Sequence, residues 1–141
     1  VYFSRMAKVI ALDIGEKRTG IAETDPFQII ATGLPTVNTA DLLTFLAVYV
    51  AAESPELLVV GEPKRMHGVP SDVEGFIQEI IVKIKSKFPS LVIQRVDERF
   101  TSKMASHAIS QSGLSKKKRQ NKALIDEVSA VIILQTWLNR K

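Results

Sequence analysis

The sequence contains no cysteine. Disulfides, thiolate zinc centres and cysteine nucleophiles are excluded together, and a thiol-free chain suits a reducing cytosol. Histidine is almost as scarce. His67 and His107 do not have metal-ligand spacing; His107 reads as a surface helix residue, and His67 sits in the Gly- and Pro-bounded loop 61–70. No apolar run approaches the roughly 20 residues that cross a bilayer. The longest, residues 128–138, is shorter and carries Ser129 and Gln135. Internal repeats, low-complexity tracts and Pro/Gly/Ser linkers are also missing. A cytoplasmic chain without membrane contact is the expectation. Residues 1–5 precede Met6, lack the apolar stretch and cleavage site of a secretory signal, and read as an expression leftover or an upstream start.

What is present supports one α/β domain over residues 6–141. The chain has 141 residues, 45% of them hydrophobic, which is enough for a real core and too many for a disordered chain. The formal net charge of +4 is modest. Its placement is more informative, because clustered Lys and Arg attract phosphate.

Periodicity gives the element order. Residues 8–13 (KVIALD), 19–23 and 28–32 read as three strands joined by short turns. Residues 39–53 form a helix with Leu42, Leu43, Leu46 and Val50 at helical spacing. Residues 57–61 (LLVVG) are the fully apolar run of a central strand. Ser71 and Glu74 have capping-box spacing before a helix with the stripe Val73, Ile77, Ile80, Ile81 and Ile84. Residues 91–96 are the next strand. Thr101 or Ser102 caps a helix reaching Gln111, with Gly113 near its stop. The last helix, 123–138, is apolar on nearly all sides, as expected of one packed on a sheet. Three strands followed by strand–helix–strand connections imply a mixed five-stranded sheet covered by helices. Trp137, Phe76 and Phe100 read as core residues.

Three acidic positions stand out. Asp13 ends an apolar strand and opens the turn DIGEKRTG; alone it reads first as a turn-forming Asp beside Gly15. Asp97 and Glu98 follow another buried strand. Adjacent strand residues point to opposite faces, so only one of them shares a site with Asp13. Asp126 lies on a helical stripe with Ala130, Ile133 and Trp137, where an ionised carboxylate is costly unless paired or metal-bound. Glu127 is its rival, because the helix has no clean polar side. Carboxylates gathered this way suit Mg²⁺ or Mn²⁺. A pair of such ions roughly 3.5–4 Å apart activates water and stabilises the leaving oxygen in phosphodiester hydrolysis. Lys116, Lys117, Lys118, Arg119 and Lys122 precede Asp126 and read as contacts to a nucleic-acid backbone, a surface that Lys17, Arg18, Lys64, Arg65 and Arg99 extend.

Four segments in order then carry a resemblance over nearly all of residues 6–140: ALDIGEKRTGIA (11–22), VVGEPKRMHG (59–68), VDERFTSKMA (96–105) and KKKRQNKALIDEVSAVIILQTWL (116–138). The chain resembles the YqgF family, also called RuvX, of RNase H-like nucleases. The resemblance implies an RNase H-like sheet in order 3-2-1-4-5 with the second strand antiparallel. It implies that Asp13, Glu98 and Asp126 are the catalytic acids and the metal ligands, which selects Asp126 over Glu127. It further implies an endonuclease that processes the 5′ end of pre-16S rRNA in ribosome biogenesis. A Holliday junction resolvase, argued by analogy with RuvC, is the alternative, and a nucleic-acid-binding factor without catalysis is another. The partner is structured RNA or branched DNA, and the chain is a monomer or homodimer. A phosphotransferase of the actin-like group shares the core fold, but this chain is too short for the duplicated domain that group needs.

Overall fold

Alternation decides the two faces of the sheet. In the computed structural model, which describes residues 7–64, 71–98, 101–113 and 121–140, strand β1 (Val9–Ile14) sends side chains to each face in turn. Ile10, Leu12 and Ile14 enter one buried cluster, while Val9 and Ala11 enter the other. The strand is continuously apolar as far as Leu12 because both faces are covered.

Strand β2 (Arg18–Thr24) runs antiparallel to β1, and β3 (Ala31–Asn38) antiparallel to β2. Strands β4 (Leu57–Glu62) and β5 (Val92–Asp97) add in parallel on the other side of β1. The order is β3-β2-β1-β4-β5, a mixed five-stranded sheet of the RNase H-like kind with the second strand antiparallel.

Helix α1 (Leu42–Glu53), entered through a 3-10 turn at Thr39–Asp41, and helix α2 (Glu74–Lys87) cover one face. Leu42, Leu46 and Tyr49 of α1 and Ile77, Ile80, Ile81 and Ile84 of α2 pack against Ile10, Leu12, Ile21, Leu58 and Val60. Each fully buried aliphatic side chain here contributes about 1.5–3 kcal/mol. The stripe expected for α2 is therefore the buried one, with Val73 packed at its start. Helix α3 (Thr101–Ser110) packs on helix α4 (Lys122–Leu138), and α4 lies on the opposite face of the sheet. There Ala130, Ile133, Leu134 and Trp137 meet Val9, Ala11, Ala22, Val59 and Val96. Trp137 also donates its indole N–H to Gln94 Oε1 at 2.9 Å, and Phe76 packs on the other cluster. Phe100 lies outside the described residues.

Two expectations need correction. The third strand is not 28–32 but Ala31–Asn38. Asp25 Oδ1 accepts hydrogen bonds from Ile29 N and Ile30 N at 2.7 and 2.8 Å, and Gln28 takes a positive φ of 57°. Those bonds fold 28–30 into a turn, and the strand begins only after it. Pro35 is tolerated because β3 is an edge strand. The Ser71–Glu74 capping box also fails to form. Ser71 Oγ accepts from Val73 N at 3.2 Å, and the Glu74 carboxylate turns to Arg95, with Nη1 and Nη2 each donating at 2.8 Å. A bidentate, charge-assisted pair outcompetes a neutral backbone donor.

Candidate active site

Parity along the strands selects the acids. Asp13 shares the face of Val9 and Ala11, which α4 covers. Val96 faces the same layer, so Glu98, two residues on, follows it there, whereas Asp97 is exposed. Glu98 N donates to Glu62 O at 3.1 Å, carrying the β4–β5 ladder one residue past β5. Thr101 N donates to Glu98 O at 2.9 Å and turns the chain into α3.

Asp126 is positioned from the other side. Asn121 caps α4, its Oδ1 accepting from Ala123 N and Leu124 N at 2.9 and 3.3 Å. Thr36 Oγ1 donates to Ala123 O at 2.7 Å and ties that first turn to β3. Gly20 pairs with Asp13 in the β1–β2 ladder. A Cβ at Gly20 would lie 1.9 Å from the Asp126 carbonyl oxygen, so the start of α4 rests directly on the sheet backbone beside Asp13. A Cβ at Gly61 would lie 2.8 Å from Glu98 Cδ and 2.7 Å from Ile133 Cδ1. These two glycines make room for the acids, and the sequence reading missed them. The usable signal was a glycine inside a strand pattern, which marks close approach. Glu127 is carried elsewhere, its carboxylate lying over Gly33 of β3.

The electrostatics bind two of the acids together. Glu98 donates a hydrogen bond to the Asp13 carboxylate. Burial pushes Asp13 up to about 6, the bond from Glu98 opposes that, and the charge of Asp126 adds to it. Burial likewise raises Glu98 far above the ordinary carboxylate range, reinforced by the charge and hydrogen bond of Asp13. Asp126 is near enough to act on Asp13, yet its Oδ2 accepts from Arg18 Nε at 2.9 Å. Among the described residues, no three acids stand together in metal-ligating geometry. Asp13 and Glu98 share a proton, and Asp126 is answered by a guanidinium.

Of the basic positions singled out in the sequence, Lys17 and Lys122 are exposed, Arg18 holds Asp126, and Lys64 Nζ lies 3.4 Å from Glu62 Oε1. Arg65, Arg99, Lys116, Lys117, Lys118 and Arg119 lie outside the described residues, as do Met66 and His67. His107 is exposed on α3. Arg95, which the sequence reading did not single out, donates to Glu74, to Gly61 O at 2.9 Å and to Val60 O at 3.3 Å. It pins the end of β4 to the start of α2, close enough for its charge to act on Glu98.

Residues 7–140 match the RuvX family, whose description is Holliday junction resolvase. The chain belongs to that family. A relative from Christiangramia forsetii is 55% identical over 133 residues, covering 94% of this chain and 98% of the relative. Relatives from Flavobacterium psychrophilum and Bacteroides thetaiotaomicron are 52% and 48% identical, each over 96% of this chain and 99% of their own length. All three bear the name of a candidate pre-16S rRNA nuclease. Among solved structures, Thermus thermophilus RuvC bound to a Holliday junction superposes with a TM-score of 0.55 at 12% identity, covering 95% of both chains. A second T. thermophilus RuvC structure gives 0.52 at 14% identity, covering 94% of this chain and 95% of that one. At these identities the likeness establishes the fold of the RuvX chain. No helix among the described residues is long and apolar enough to cross a membrane.

Proposed function

We propose that this RuvX chain is a metal-dependent endonuclease of one domain, residues 6–141, that hydrolyses phosphodiester bonds in nucleic acid and matures the 5′ end of pre-16S rRNA. The observation that carries the reading is the Asp13–Glu98 carboxyl pair, buried at the ends of two parallel-sheet strands with Asp126 beside it. Two carboxyl groups forced together and desolvated are stable only with a proton or a cation between them. The donor set is all hard oxygen, which fits Mg²⁺ or Mn²⁺. Asp13, Glu98 and Asp126 would hold it. Such an ion, when bound, polarises the phosphoryl oxygen and makes water a stronger nucleophile. The chain's own part is to give up the proton shared by Asp13 and Glu98, to fix both side chains on strand ends, and to bring Asp126 down on the first turn of α4. Lys17, in the turn between β1 and β2, and Lys122, at the start of α4, are exposed and contact backbone phosphates.

Purified protein with Mg²⁺ or Mn²⁺, offered precursor 16S rRNA and a four-way DNA junction side by side, tests the reading. The precursor is cut at its 5′ end, and Asp13→Asn, Glu98→Gln and Asp126→Asn each abolish the cut while the fold persists. Cutting of the junction alone assigns the chain to resolution of branched DNA instead. Cutting by all three variants removes the three acids from the chemistry.

A further inference from the structure

Arg18 sits where it affects the site before any substrate arrives. It closes the turn that follows Asp13, with Gly15 N donating to Arg18 O at 2.9 Å, and it opens β2. Residues 18, 20 and 22 alternate onto the α4 face, and Gly20 on that face lies against the Asp126 backbone. Arg18 is thereby delivered to Asp126, and the Nε–Oδ2 contact at 2.9 Å is the only hydrogen bond either side chain makes among the described residues. The pair is accessible enough to open: the side chains are 35% and 25% exposed. Asp13 and Glu98, by contrast, already pair with each other. Among the described residues, Asp126 is the one of the three acids whose carboxylate is hydrogen-bonded to a cationic side chain.

We propose that Arg18 is a latch on Asp126, holding its carboxylate in the metal-free protein and exchanging it for the divalent ion when the three acids close on that ion. The inference rests on the metal-binding reading above. A planar guanidinium suits the task, since it binds a carboxylate directionally and keeps its charge at every working pH. The grip is weak, because a partly exposed pair with one contact is worth only a small factor in any competing equilibrium. Arg18 is thus a positioning residue that sets how readily the third acid joins the other two.

Calorimetric titration of the metal-free protein with Mn²⁺ tests this. Four proteins are compared: wild type, Arg18→Gln, Asp126→Asn and the double variant, with Asp13→Asn as a reference. Arg18→Gln binds Mn²⁺ roughly two- to fivefold more tightly than wild type. In the Asp126→Asn background the same substitution changes nothing, because there is no carboxylate to release. Arg18→Lys, which keeps a cation within reach, restores most of the wild-type affinity. Unchanged or weaker binding by Arg18→Gln overturns the latch, and so does equal tightening in both backgrounds, which would be simple removal of charge. Weak binding by Asp13→Asn together with either result leaves the metal site standing and removes the latch alone. A wild type that binds no Mn²⁺ overturns both.

Discussion

Replacing Gly20 by alanine isolates the contact on which the site is built. The added methyl would sit 1.9 Å from the Asp126 carbonyl oxygen, 2.5 Å from its carbonyl carbon and 3.3 Å from its Cα. These are backbone atoms, so no side chain can swing aside. Reaching the 3.4 Å of an ordinary contact needs a shift of about 1.5 Å, against a sheet packed on its far face by α1 and α2. Overpacking of this kind costs about 1–3 kcal/mol, which for a chain of this size lowers Tm by about 2–4 °C per kcal/mol. The functional effect is larger than the effect on stability. Withdrawal of the first turn of α4 carries Asp126 away from Asp13, and a misplacement of about 1 Å costs on the order of 100-fold in rate. Steady-state cleavage of precursor rRNA reads the change chiefly as a drop in kcat, with a smaller rise in KM because Lys122, at the head of the same turn, moves with it while Lys17 does not. Gly75→Ala is the control. Nothing lies within 4 Å of its added methyl, and alanine in a helix gains about 0.5–1 kcal/mol over glycine. A Gly20→Ala protein with wild-type kcat and Tm would refute the claim that α4 rests on bare strand backbone at this point.

Two further outcomes follow from the same geometry. Asp13 and Glu98 are both raised in the folded protein, so the metal-free fold binds their protons more tightly than the unfolded chain does. Stability from this pair is full below the ordinary carboxylate range and is lost as pH rises through about 6, where Asp13 ionises beside Glu98. Glu98→Gln relieves that loss. Thermal melts without metal show its Tm advantage over wild type growing from pH 5 to pH 8, and parallel curves would contradict the buried pair. Arg95→Met leaves Glu74 half-buried without its bidentate partner and frees the end of β4. Urea unfolding reads this as about 2–3 kcal/mol of lost stability, and a change under 0.5 kcal/mol would show that the clamp is idle.

Much of the architecture was legible because hydrophobic pattern and position coincide. Residues 57–61 are apolar throughout since β4 is covered on both faces, and Ile77, Ile80, Ile81 and Ile84 mark the single face that α2 buries. Asp13 and Glu98 were legible as carboxylates that interrupt or directly follow a buried apolar run. One miss was local: the Asp25 carboxylate takes the backbone N–H groups four and five residues on and folds 28–30 into a turn. The others were decided by contacts between distant segments. Ser71 and Glu74 have capping-box spacing, but Arg95, over twenty residues on, takes the carboxylate. Asp126 and Glu127 were inseparable by periodicity because α4 is apolar nearly all round. The separation comes from Gly20 and Gly33, which admit the Asp126 backbone and the Glu127 carboxylate at different strands.

The most direct measurement is an anomalous difference map from a crystal soaked in Mn²⁺. Density for the ion is expected between the carboxylates of Asp13, Glu98 and Asp126, with the Arg18 guanidinium withdrawn from Asp126. Manganese bound elsewhere on the protein, with the proton-sharing pair of Asp13 and Glu98 intact, would contradict that arrangement.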